Sequence, residues 1–563
     1  MKRLYPVLFL ALGLAACERN PTGGRENLTV GQTLTINVNA DSVCTAPINR
    51  QVRVVALSEH SAVLADVSNP PNGFTDAEYQ QFADEFERVA WPVDTENFGM
   101  PSDVDRNGRI LMLFTSAVNQ LTPRNADYIV GGFFYGRDLF PKRGNADADG
   151  CEASNVREMF YLLAPDPTGS INGNARSKNY VQTTTFATLS HEFQHLINAS
   201  RRLYVNDAED FEETWLDEGL AHIAEELSFY ASAPGLGPRQ NIAFTSAFFS
   251  DPTRLNALNR YQTPNLGRLN EYYKTPSENS PIQPDDDLAT RGAAWQFLRY
   301  AADQKGGGER DLWFNLVNAK TRGIVNLTAQ LGTDPLPVFQ NWGVAIYTDD
   351  AVPAVPAQYT HPSWHYRQVL SNQAFGGFRL RVDTLLNGVP RRVDLAATGN
   401  AYLRLGVLPA IRAEVRTSGG GATGSGACTV VPLASVGQVY QASGAAASSL
   451  CLDGGTTGAE YVVIPFYAST GGGEVAAITL TATGIVRPVG GPNPVLSPGG
   501  PTLSRAAAEA ASQGASGGDG GFEMRLRQRE RRELSHRFGG GPAFNTLPNA
   551  AAPEVRLSIV RTR

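Results

Sequence analysis

Apolar residues recur along this chain with two periods, and each predicts its own kind of element. Between residues 29 and 70 they come in short alternating bursts. Leu34-Thr-Ile-Asn-Val, Val52-Arg-Val-Val-Ala-Leu and Ala62-Val-Leu-Ala predict strands separated by turns. Asn69-Pro70-Pro71-Asn72-Gly73 breaks that run. Thr75 then stands as an N-cap ahead of apolar residues at helical spacing. Leu111-Met-Leu-Phe114, Ile129-Val-Gly-Gly-Phe-Phe-Tyr and Met159-Phe-Tyr-Leu-Leu predict further strands. From Thr184 to Arg202 the period changes, and Phe186, Leu189, Phe193, Leu196 and Ile197 make one helical stripe. From Asp210 to Phe229, Leu216, Leu220, Ile223 and Leu227 make a second. Tyr-, Asn- and Pro-rich sequence predicts loops around 235–290, with helices at Thr290–Ala302 and Asp311–Val317.

After about residue 352 the texture shifts. Prolines at 353, 356 and 362 mark a boundary, and 375–487 returns to short alternating runs with glycine-rich turns. An antiparallel β-sandwich is expected there. Residues 488–521 are rich in Pro, Gly, Ala and Ser and predict a flexible linker. Arg525 to Arg537 is a basic run with acids interleaved, read as a solvated helix.

A length of 563 residues implies two or three domains, and a hydrophobic fraction of 42% is enough for sizeable cores. A net charge of −7 argues against a nucleic-acid partner. Lys2 and Arg3 precede an apolar run, Leu4 to Leu14, that is too short for a stable membrane span. The run ends in Leu14-Ala15-Ala16-Cys17, which resembles a bacterial lipobox. That resemblance implies cleavage before Cys17 and attachment to a lipid bilayer through an acylated Cys17. Glu18 follows where aspartate would signal inner-membrane retention, so an outer-membrane or cell-surface lipoprotein is expected. Cys44, Cys151, Cys428 and Cys451 remain, an even number that suggests disulfides in an exported chain. Cys428–Cys451 is favoured because both lie in the β-rich region, and Cys44–Cys151 follows by elimination.

The chemistry concentrates in the two helical stripes. His191-Glu192-Phe193-Gln194-His195 sets two imidazoles one turn apart, off the apolar stripe and facing outward into a cleft. That spacing lets both reach one tetrahedral zinc, with Glu192 placed to deprotonate a bound water. On the second helix Glu218, His222 and Glu225 share one face. Glu218 is the favoured third ligand, with Glu212, Glu213, Glu225 and Glu226 as rivals. Glu225 is placed to accept the second N–H of a ligating histidine, and His222 to line the cleft or meet an oxyanion. His361 and His365 bracket Pro362 without a glutamate between them and read as linker residues. His60 and His536 stand alone and read as solvent-facing. Asp103-Val-Asp105-Arg-Asn107-Gly108 begins like a calcium loop, but Phe114 stands where the closing glutamate belongs. A tight turn into a buried strand is the preferred reading, with Ca2+ the alternative.

His-Glu-Phe-Gln-His-Leu-Ile-Asn, followed by Trp-Leu-Asp-Glu-Gly-Leu-Ala-His, resembles the glutamate-zincin (gluzincin) metallopeptidases, nearest in pattern to the hyicolysin-like neutral peptidases. The resemblance is strong over roughly 185–230, extends over about 75–345, and says nothing about the C-terminal β region. It implies an α+β fold, a zincin-type catalytic domain with a mixed sheet over two zinc-bearing helices. It implies one Zn2+ held by His191, His195 and Glu218 with water as fourth ligand, and Glu192 as general base. In thermolysin-type relatives the residue four after the glutamate ligand is aspartate; here it is His222, and that contact does not carry over. The oxyanion residue stays open among Tyr230, Tyr261, Tyr272, Tyr273 and His222.

The expected organisation is a signal peptide (1–17), a tether (18–28), a small β-rich region (29–72), the metallopeptidase domain (73–352), an accessory β-sandwich (353–487) and a linker with basic tail (488–563). The expected function is that of an exported, membrane-anchored zinc endopeptidase acting on peptides or proteins. The alternative is a non-catalytic zinc-binding surface lipoprotein that serves as a binding module. Oligomeric state is open, as is whether 29–70 is a removable prosegment.

Overall fold

The structure, a computed structural model, describes residues 27–40, 44–126, 128–144, 150–419, 427–488 and 553–563. The expected signal peptide, Cys17, nearly all of the tether, the linker and the basic run lie outside these residues. The fold is mixed α+β.

A six-stranded sheet carries the first half. Its strands are β1 (Thr33–Asn37), β2 (Asn49–Leu57), β3 (Ser61–Asp66), β4 (Ile110–Thr115), β5 (Gly132–Phe134) and β6 (Met159–Leu163), in the order β1-β2-β3-β4-β6-β5. β3, β4 and β6 are parallel, while β1 and β2 pair antiparallel on one side and β5 antiparallel at the other edge. Every residue of β4 is buried, as expected for a strand covered on both faces. Alternation divides its side chains. Ile110, Met112 and Phe114 enter the core shared with the helices, whereas Leu111 and Leu113 enter a second core on the far face. That second core also holds Val52, Val54, Cys44 and Cys151, the last two joined as a disulfide. Residues 29–66 are therefore part of the same sheet as the strands that follow them.

The helices pack on the near face. α1 (Asp76–Glu85) is capped by Thr75 and Glu78 as a reciprocal capping box. It continues through a π-turn (Phe86–Ala90) into α2 (Trp91–Phe98), and α3 (Ser116–Gln120) follows β4. The two long helices are α4 (Lys178–Tyr204) and α5 (Thr214–Ser232). The loops expected around 235–290 are largely replaced by α6 (Ser246–Phe249), α7 (Pro252–Ala257), a second π-turn (Leu258–Gln262) and α8 (Thr263–Tyr272). A π-turn adds a residue to one turn and shifts the helical phase. This interrupts the period by which α7 and α8 would be recognised as one segment. α9 (Leu288–Lys305), α10 (Glu309–Val317), α11 (Gly323–Leu331), α12 (Pro335–Thr348) and α13 (Tyr366–Leu370) complete the set.

The C-terminal half holds two sheets. β7 (Asp383–Thr384), β8 (Arg391–Ala396), β9 (Leu403–Val407), β10 (Arg412–Gly419), β11 (Thr429–Val430), β12 (Val439–Ala442), β13 (Ser449–Asp453), β14 (Ala459–Tyr467), β15 (Val475–Thr483), β16 (Ile485–Val486) and β17 (Val555–Arg561) supply them. One sheet runs β11-β13-β10-β15-β8; the other runs β12-β17-β14-β9-β16, with β7 beside β9. Val415, Leu450 and Leu480 from the first share a core with Tyr461, Val463 and Ile559 from the second, an arrangement consistent with a sandwich. Cys428 and Cys451 are disulfide-bonded. β17 lies in the stretch read as linker and basic tail, yet it pairs antiparallel with both β12 and β14. It also reaches α12, where Gln340 donates to the Ser558 hydroxyl at 3.1 Å.

Two consequences can be measured. A Cβ on Gly292 would fall on the Arg268 carbonyl of α8, so Gly292→Ala should lower stability by about 1–3 kcal/mol in urea unfolding, through overpacking of α8 against α9. Removing residues 553–563 strips β12 and β14 of their shared neighbour, and limited proteolysis should then cut the 383–486 region first.

Candidate metal centre

The helical stripe of α4 buries Phe186, Leu189, Phe193, Leu196 and Ile197 under the sheet, and α5 packs beside it. The Ser190 and Ser228 hydroxyls meet at 2.8 Å, where the two helices approach. This brings His191 and His195 against Glu218. The Nε2 atoms of His191 and His195 stand 3.1 Å apart, and they lie 3.3 and 3.6 Å from the two Glu218 oxygens. Donors about 2.0–2.2 Å from one tetrahedral ion sit about 3.3–3.5 Å from each other. The two imidazoles and one carboxylate therefore fit zinc in both chemistry and spacing. Both rings sit deep: His191 is 4% and His195 1% exposed. Glu192 is 2% exposed, and its charge acts on His191.

A second layer fixes these groups. His191 Nδ1 lies 2.8 Å from Glu225 Oε1, and His222 Nδ1 approaches the same oxygen at 3.1 Å. Arg268 reaches the other Glu225 oxygen at 3.4 Å. Burial alone would raise the Glu225 pKa, but Arg268 and the two histidines hold it well below the usual carboxylate range. An ionised carboxylate only accepts hydrogen bonds, so both histidines present Nδ1–H to it and His191 keeps Nε2 for a metal. Burial would lower the His191 pKa, but Glu218, Glu225 and Glu192 hold it up at about 10. The metal-free chain thus carries a proton there at neutral pH, and an entering ion must displace it. Affinity falls as pH drops.

His222 is different. Burial, with the Arg268 charge adding to it, pushes its pKa down to about 3. With Nδ1–H directed at Glu225, Nε2 of the neutral ring carries no proton, and no hydrogen-bond partner meets it. Such a nitrogen accepts but does not donate, so an oxyanion role for His222 is disfavoured. Among the tyrosines proposed for that role, Tyr230 donates to Glu226 and Tyr261 to Glu85, while Tyr273 accepts from Gln296.

Of the rival ligands, Glu225 lies within the centre, where it also groups with His191 and His222 as possible metal donors, and the other three are engaged elsewhere. Glu212 pairs with Arg202 and accepts from Gly323 N and Asn326. Glu213 accepts from Trp215, and Glu226 from Trp364 and Tyr230. His60 is not alone: it stacks on Trp91 and bonds Glu87 at 2.6 Å. His361 is not a linker residue either; it is buried between the Tyr300 and Tyr366 rings.

Several groups at the site escaped the sequence reading. Asp217 Oδ2 lies 3.2 Å from His195 Nδ1, and Asn198 donates to its other oxygen at 2.8 Å. Its place directly before Glu218 was the signal available. Arg291, held by two bonds to Asp286, comes within 3.3 Å of Glu218. Asp94 on α2 is fully buried with neither oxygen hydrogen-bonded, and burial raises its pKa well above the usual range against the pull of His191. Nothing in the sequence marks Asp94 or Arg291.

No family model matches the chain. Over 179 residues it is 28% identical to the neutral metalloprotease ShpI of Staphylococcus hyicus. The similar stretch is 32% of this chain, and the chain spans 37% of the length of that relative.

The isosteric variants Asp217→Asn and Glu225→Gln should each weaken zinc binding about 10–100-fold, by analogy with other histidine-orienting carboxylates. Competition with a chelating dye measures this, and circular dichroism should stay unchanged.

Proposed function

We propose that this chain is a zinc-dependent endopeptidase of the glutamate-zincin group, in the manner of the hyicolysin-like neutral peptidases. The observation that carries the proposal is the meeting of His191, His195 and Glu218 at zinc-compatible spacing. The partial similarity to a neutral metalloprotease supports it. Zinc, when bound, would polarise a scissile carbonyl and acidify a water. Glu192 would take the proton of the attacking water and pass it to the leaving amine. Glu225 and Asp217 would keep the two imidazoles in the tautomer that presents Nε2. Arg291 would share the Glu218 charge.

The substrate would be a peptide chain laid beside β5. This edge strand stands over α4: a Cβ on Gly132 would come within 2.9 Å of the Thr188 methyl. Peptides commonly dock by adding to such an edge. The two disulfides fit an exported protein. No helix among the described residues is long and apolar enough to cross a membrane, and anchoring through an acylated Cys17 at the outer membrane or cell surface is part of the proposal.

The test is casein hydrolysis by the fragment starting at residue 18. Activity should vanish with a chelator and return with zinc. Glu192→Gln should retain about one zinc per chain while kcat drops about 10²–10⁴-fold or more. Zinc bound without cleavage by the parent would instead favour a binding lipoprotein.

A further inference from the structure

We propose that Asp103, Asp105 and Glu158 form a calcium site at the turn that leads into β4. Their carboxylates offer oxygens that all lie within 4.8 Å of one another. The turn itself supplies Asp103 and Asp105, and Glu158 arrives from just before β6, more than forty residues later. It provides the closing carboxylate that the loop's own sequence lacks at Phe114.

The observation that points to a ligand is Glu158. This side chain is 1% exposed. Its Oε1 accepts from the Ser102 hydroxyl at 2.6 Å and from Val104 N at 2.8 Å. Its Oε2 is sealed from solvent with no hydrogen-bond partner. A buried carboxylate oxygen without a donor is unfavourable, and a cation meets that need. The turn also bonds within itself: Asp103 Oδ1 accepts from Gly108 N at 3.2 Å, Asp105 Oδ1 from Asn107 N at 3.1 Å, and Asp105 Oδ2 from the Asn107 amide at 2.7 Å.

Charge agrees with this reading. Three carboxylates come together here, and Arg157 lies 3.0 Å from Asp105 Oδ2. Burial, with the Asp105 and Asp103 charges adding to it, pushes the Glu158 pKa up to about 7, and a divalent cation among the three would offset that repulsion. All three donors are hard oxygens, which suit calcium or magnesium and not zinc. An irregular turn, without the strict octahedron that magnesium demands, favours calcium. Asp103 is exposed, so water can complete the shell, and the affinity should be that of extracellular modules. The site would also brace the metal helix, because Ser102 N donates to the Ser200 hydroxyl of α4.

The inference stands apart from the peptidase reading, and its test needs no activity. The zinc-loaded chain from residue 18, dialysed free of calcium, is examined by equilibrium dialysis with radioactive Ca2+ and by thermal unfolding. The parent should bind about one Ca2+ with Kd of about 0.1–1 mM and unfold several degrees higher in its presence. Asp103→Asn, a change in an exposed turn, should weaken binding about tenfold or more, because it removes a charged ligand. Glu158→Gln should abolish binding and the thermal shift, with zinc content unchanged. No calcium bound by the parent at about 5 mM, or Asp103→Asn binding as the parent does, would overturn the proposal. Should Glu158→Gln fail to fold, the Asp103→Asn comparison decides alone.

Discussion

The carboxylate of Glu225 is shared by His191, His222 and Arg268, which lie on three different helices, and the arrangement of the centre depends on that sharing. An isolated anion would be very costly to bury at this position. Three donors make it tolerable, and in return each donor is fixed. His191 must turn Nε2 towards His195 and Glu218. His222 must stay neutral. Arg268 must be delivered by α8, which the preceding π-turn sets in phase. The same helix approaches α9 closely enough that Gly292 has no room for a side chain. Asp217 and Asn198 repeat the device on a smaller scale for His195.

What the sequence made legible follows the range of the interactions. His191, Glu192 and His195 lie within five residues, and helical periodicity alone puts the two histidines on one face. Glu225 as a partner of a ligating histidine was readable for the same reason, because it follows Glu218 by two turns of one helix. Asp94, Arg268 and Arg291 reach the centre from separate helices, and no local period announces contacts across about 40–100 residues. An apolar stripe shows which face of a helix packs against the core. It does not show that Asp94 of α2, Arg268 of α8 and Arg291 of α9 approach the other face. β17 was missed for a different reason. Its alternation, Val555-Arg-Leu-Ser-Ile-Val, is as plain as that of β8, but its neighbours in sequence are not its neighbours in space.

The six-stranded sheet shows how the first half of the chain supports the centre from behind. β4 and β6 must satisfy a core on either face, so every residue is buried and nearly all are apolar; the Thr115 and Tyr161 hydroxyls are hydrogen-bonded to Asp66 and Asp138. The far core is completed by β2 and the Cys44–Cys151 link. Loss of the segment before residue 67 would leave β4 with an open edge and the far core without its lid. This favours a permanent structural layer over a removable prosegment.

β17 also bears on the order of folding. Its place between β12 and β14 cannot be filled until residues 555–561 have been synthesised, long after the strands on either side exist. Until then the sheet is two separate pieces whose facing edges have no neighbour, and pairing must wait for a contact of high sequence separation. In the helical half the sheet and the candidate donors His191, His195 and Glu218 all lie before residue 219, while Arg268 and Arg291, which meet Glu225 and Glu218, follow it. The second half is thus completed last, when its final strand becomes available to join the two pieces.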